Sequence, residues 1–138
     1  MNSHKLLPKC ILKNFSNNGR LFSYDVLKGT LAITSAKQFN TEANYYSVAM
    51  EQQLSQNVEQ PLGVLVAYLK KKFDLEPLLL RKKHIQTIHN YIYTLLARSP
   101  NIFTSVYDGL LFKEFFTLQQ IHDFTVADAF NLMQQDNF

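Results

Sequence analysis

The chain has 138 residues, 46% of them hydrophobic and 18% charged, with a formal net charge of +3. That length suits one domain with a real core and excludes a disordered tail, and no run approaches the roughly 20 apolar residues needed to cross a bilayer. The lone cysteine, Cys10, excludes an internal disulfide framework and fits a reducing compartment.

The opening "MNSHKLLPK" has no long apolar region and no small-residue cleavage site, so a cytoplasmic location is expected. Charge is unevenly spread. Residues 1–98 hold 13 Lys/Arg against 6 Asp/Glu, a balance of +7, and residues 99–138 hold 1 against 5, a balance of −4. Either the two parts attract each other within the fold, or the first part meets an acidic partner.

The first elements read as strands. "KCILKNF", residues 9–15, is short and apolar between Pro8 and a turn at Asn18–Gly19, where both residue types tolerate positive φ. "RLFSYDVL" alternates, and the face of Phe22, Tyr24 and Val26 is expected to be buried, with Leu21, Ser23 and Asp25 outward. Lys28–Gly29 turns the chain into a further strand over "TLAIT". The result is a small antiparallel meander of two to three strands over residues 1–46, whose apolar face needs a helical cover.

Residues 47–138 read as helical. Val48, Met50, Glu51, Leu54 and Val58 fall at helical spacing behind Ser47, a candidate N-cap without a capping box. Pro61 predicts a kink or break near Gln60. "PLGVLVAYLKKKF" follows, with a stripe of Leu62, Leu65, Val66 and Leu69 and three lysines in its last turn, where cations complement the helix dipole. The next stripe is Ile85, Ile88, Tyr91, Ile92 and Leu95, ended by Arg98 ahead of Pro100. "NIFTSVYDGLLFKEFF" and "TVADAFNLMQQ" supply two more helices, the latter with Thr125 and Asp128 as a capping pair. The expectation is a single α+β domain over 1–138: an N-terminal meander, then four to five helices.

Several of these residues together resemble the opening of domain-of-unknown-function family 4238. Members begin with His, a short apolar step, Pro, an aromatic-rich strand ending in Phe, a Gly turn, and an aromatic-Tyr-Asp strand. Here the pattern falls on His4, Pro8, Leu12, Phe15, Gly19, Phe22, Tyr24 and Asp25. A later aromatic matches Tyr46, and a helix-ending Arg-x-Pro matches Arg98 and Pro100, so the likeness covers roughly residues 4–100. Lys5 stands where many members carry a second His, and Cys10 where an aromatic is usual. Many members run longer, which makes this chain look like a shortened version. The resemblance implies a fold, and a bacterial or phage-associated origin.

Candidate chemistry is sparse. His84 and His89 are five residues apart on one helix, about 140° around its axis, so they do not share a metal as an i, i+4 pair does. No HExxH, CxxC, GxSxG, P-loop or GxGxxG pattern occurs, and no metal or cofactor is expected. Cys10 reads as a small hydrophobe. His4 with Glu51 or Glu59 could form an acid–base pair. Arg98 either satisfies carbonyls at its own helix end or holds an anion or a carboxylate such as Glu59. Those four residues make up a hydrolase or nuclease reading.

The stronger signal is a pair of basic clusters, Lys70–Lys71–Lys72 and Arg81–Lys82–Lys83, bracketing "FDLEPLLLRK". Antiparallel helices would bring them to one end as a rim of six charges, offset by Asp74 and Glu76. Such a rim fits an acidic protein surface or a nucleic acid. The function expected from the sequence is therefore a non-enzymatic binding or inhibitor module of bacterial or phage origin, acting in phage–host conflict as defence or counter-defence.

Overall fold

Pro8 decides the first helix. In the computed structural model, which describes residues 3–5, 7–39, 41–73, 77–98 and 116–135, Pro8 has φ −63° and ψ 140° and caps α1, Lys9–Leu12, which a 3-10 turn extends over Lys13–Phe15. The Pro8 carbonyl accepts the N–H groups of Ile11 and Leu12. Asn14 Nδ2 donates to the carbonyls of Cys10 and Ile11, and Ser16 Oγ donates to that of Lys13. The expected strand over residues 9–15 is thus helical, because short side chains just after the apolar run satisfy its carbonyls locally.

The fold is α+β, with the strands in two separate antiparallel pairs rather than one meander. Strand β1, Ser3–Lys5, pairs with β4, Thr41–Ala43, setting His4 opposite Glu42. Strands β2, Leu21–Asp25, and β3, Thr30–Thr34, form a hairpin with Phe22 opposite Ile33 and Tyr24 opposite Leu31. Asp25 shapes its tip: Oδ1 accepts the N–H groups of Leu27 and Lys28, each at 3.0 Å, and its carbonyl accepts that of Gly29, whose φ is 65°. At Asn18 and Gly19, φ is 50° and 74°. Their tight turn joins only Asn17 and Arg20, which exchange two backbone hydrogen bonds of 2.9 Å.

The hairpin faces are opposite to the expectation. Leu21 is 6% exposed, whereas Phe22 is 56% and Tyr24 63% exposed. The core beneath is small, consisting of Leu12, Leu21 and Ala36 with Leu7 and Phe39 against them, and Leu21 alone of the hairpin strands enters it. No described element covers the Phe22 face.

Helix α2, Val48–Leu54, starts where Ser47 Oγ accepts the Met50 N–H at 3.2 Å, as the sequence predicts. The chain does not break near Pro61 as expected: a π turn, Ser55–Glu59, carries α2 without interruption into α3, Gln60–Lys72. The Gln60 N–H reaches back five residues to Ser55 O. This wider turn gives the proline ring room where an α-helical carbonyl would meet it, and Pro61 takes the first turn of α3.

Helix α4, Lys82–Ala97, ends at Arg98. It packs antiparallel to α3, since Tyr68 meets His84 near one end and Glu59 meets Arg98 near the other. Ile85 and Ile92 are partly exposed, and the fully buried residues of this stretch are Thr94 and Arg98. Of the expected stripe Ile88, Tyr91 and Leu95 are half-buried, so the inward face is shifted toward Thr94 and Arg98.

Helix α5, Leu118–Gln135, is longer than expected. Its cap is Thr117, whose Oγ1 accepts the Gln120 N–H at 3.2 Å while Gln120 Oε1 accepts the Thr117 N–H at 2.9 Å. Thr125, expected at the cap with Asp128, lies buried in mid-helix, its hydroxyl donating to Ile121 O. The helix expected over residues 101–116 lies outside the described residues apart from Phe116. The main core consists of Tyr46, Met50, Leu54, Val58 and Val126, with Tyr91, Phe130 and Met133 packed against it. Among the described residues no helix is long and apolar enough to cross a membrane.

Candidate functional site

Of the four residues in the hydrolase reading, the structure joins two. The π turn carries Glu59 toward the end of α4, where Arg98 Nη2 donates to Glu59 Oε1 at 3.2 Å. Arg98 is 2% exposed and its guanidinium carbon lies 5.7 Å from the centre of the Tyr46 ring, within cation–π range. Its Nε and Nη1 have no acceptor among the described residues. Arg98, itself buried, therefore holds the half-buried carboxylate of Glu59 instead of the carbonyls at its own helix end.

Burial pushes the Tyr46 phenol well above its ordinary value, the Arg98 charge opposing and nearby Tyr45 and Glu51 reinforcing the rise. Burial likewise raises Tyr91 and the Cys10 thiol, and the Glu59 carboxylate raises both further. Cys10, half-buried on α1, is thereby kept as a thiol and disfavoured as a nucleophile. Glu51 is half-buried on α2. His4 sits in β1, and its side chain lies outside the described residues.

The basic clusters are arranged differently. Lys70, Lys71 and Lys72 form the last turn of α3; Arg81 caps α4, and Lys82 and Lys83 begin it. All six side chains are exposed. The Tyr68 and His84 rings, 4.7 Å apart, hold the two helix ends together, and Tyr68 OH donates to Leu79 O at 3.1 Å. The His84 ring fixes the start of α4 by accepting the Arg81 N–H on Nδ1. Both clusters thus occupy one end of the α3–α4 pair. Beside them, Pro61, Val64, Leu65 and Tyr68 on α3 and Lys83, His84 and Thr87 on α4 line an open recess of about 310 Å³. Asp74 and Glu76, expected to offset the charge, lie outside the described residues.

Sequence reasoning missed the Tyr68–His84 contact, although both residues flank the clusters. It also missed the polar attachment of α5. Gln119 Nε2 donates to the carbonyls of Asn44 and Tyr46, Asp123 Oδ1 accepts the Ser47 N–H, and His122 stacks on Tyr45 at 3.5 Å with Nδ1 on the Tyr45 carbonyl. Nothing local signals these contacts, which span more than seventy residues.

This is an α+β protein with a buried arginine paired to a half-buried glutamate and a cationic end on its surface. Comparison with protein-family models, curated proteins and solved structures gives no match.

Proposed function

We propose that the protein is a binding module without chemistry of its own, which engages a polyanionic partner, nucleic acid or an acidic protein surface, through the cationic end of the α3–α4 pair. The observation that carries this reading is the Tyr68–His84 contact, which brings six exposed cations to one place. Exposed cations add little to stability, so a cluster of them fits recognition better than architecture. The burial of Arg98 against Glu59 supports a structural role for that pair and weighs against the hydrolase reading. From the sequence resemblance of residues 4–100 to family 4238 we further propose a bacterial or phage origin and a role in phage–host conflict, as defence or counter-defence.

The test is fluorescence anisotropy with single-stranded and duplex oligonucleotides and with polyglutamate, across a salt series. Each phosphate contact contributes about 0.7–0.9 to the slope of log K against log salt. Changing Lys71, Lys72, Arg81 and Lys82 together to Ser is expected to weaken binding more than tenfold at about 0.1 M salt and to flatten the slope by about 3, with the thermal melt nearly unchanged. Unchanged affinity in that variant overturns the reading.

A further inference from the structure

The hairpin carries an aromatic face that no described element of the fold covers. Phe22 and Tyr24 on β2, with Ile33 and Leu31 directly opposite on β3, share one face, and all four are more than half exposed. Half-covered antiparallel sheets present polar residues to water, so this face is inverted. Beside Phe22 lies an open recess of about 320 Å³ lined by Asn17, Asn18, Arg20 and Phe22. The backbone bridge between Asn17 and Arg20 holds the recess in shape. No hydrogen bond or ion pair among the described residues engages the side chains of Asn17, Asn18 or Arg20.

The surrounding charge has one sign. Residues 7–39 carry Lys9, Lys13, Arg20, Lys28 and Lys37 against Asp25 alone, a balance of +4. The Asp25 Oδ1 is already occupied by two turn N–H groups. A matching ligand has a flat ring for Phe22, an edge of donors and acceptors for the two Asn amides, and a negative charge for Arg20. A nucleobase with its phosphate meets all three requirements.

We propose that this face and recess bind single-stranded nucleic acid, one base stacking on Phe22 in the Asn17–Asn18–Arg20 recess and a following base on Tyr24. Residues two apart on a strand stand about 6.8 Å apart. That is about twice the 3.4 Å rise per nucleotide in a stacked strand, so the two rings suit bases drawn apart from one another. A duplex hides its base faces, which selects the single strand. The proposal rests on the polyanion reading above only for the sign of the partner's charge.

The experiment measures binding of a short labelled oligothymidylate, the corresponding duplex, and vesicles containing phosphatidylserine. Phe22→Ala/Tyr24→Ala and Arg20→Ser are compared with the wild type and with the quadruple Lys/Arg→Ser variant. Phe22 and Tyr24 are largely exposed, so unchanged circular dichroism melts are expected and serve as the folding control. The wild type is expected to prefer the single strand at about 0.3 M salt. The aromatic double variant is expected to lose at least tenfold on the single strand at unchanged salt slope, and Arg20→Ser to lose about one contact of slope. Loss in the quadruple variant with none in the aromatic variant overturns the hairpin site and leaves the rim. Loss in the aromatic variant alone upholds the hairpin site and removes the rim. Vesicle binding that depends on Phe22 and Tyr24, without oligonucleotide binding, overturns the proposal in favour of a lipid surface.

Discussion

Arg98 is a charged side chain buried to 2% exposure. Its guanidinium is taken out of water, and among the described residues the Glu59 carboxylate and the Tyr46 ring are what offset that desolvation. The sequence names Glu59 as one possible partner but cannot choose it, since 39 residues separate the two and only the π turn and the antiparallel helices bring them together. The consequence for pH runs through Tyr46. In the folded protein its phenol keeps its proton beyond the ordinary value of 10.0, whereas the unfolded chain releases it there. The stability this contributes is present in full below pH 10 and is lost as pH rises above it. Tyr46→Phe removes that proton, so the decline in urea midpoint above pH 10 is expected to be shallower than in the wild type. An equal decline would assign the alkaline sensitivity to Tyr91 or Cys10, which burial shifts in the same direction.

Among the elements, the hairpin shows what periodicity conveys and what it leaves open. Alternation over residues 21–25 separates two faces correctly, but it does not state which one meets the core. Hydrophobic content favours the Phe22–Tyr24 face, yet the adjoining core accepts only Leu21. Leu21→Ala is expected to cost about 2–4 kcal/mol and Phe22→Ser less than about 1 kcal/mol, measured by urea unfolding. The reverse ranking would restore the expected orientation. Helix starts were legible where a side chain caps its own turn, as at Ser47. Thr117 with Gln120 carries the same kind of signal, but the apolar periodicity is clearer in the second half of α5 than behind Thr117. Pro61 was legible as a disturbance but not as a π turn, because the choice between breaking and widening depends on whether Val58 and Leu62 can both stay in the core, and both do.

For the whole molecule, the α+β arrangement and the placing of both basic clusters at one end of the α3–α4 pair were legible in the sequence, given a short connection and two amphipathic stripes. The attachment of α5 did not, because it depends on backbone groups at residues 44–47 that any sequence provides. Asp123→Ala removes the acceptor of the Ser47 N–H and is expected to cost about 1–2 kcal/mol. In stopped-flow chevrons that loss is expected almost wholly in faster unfolding, since a contact across 76 residues forms late. Slower refolding by the same factor would place the contact in the folding nucleus instead. The same separation governs the order of events at the ribosome. At about 5–20 residues per second, about 4–15 s pass between the synthesis of residues 44–47 and that of residues 119–123, which hold them. Throughout that interval Met50, Leu54 and Val58 lack the helix that closes over them, so the nascent chain presents a greasy stripe to chaperones until α5 emerges.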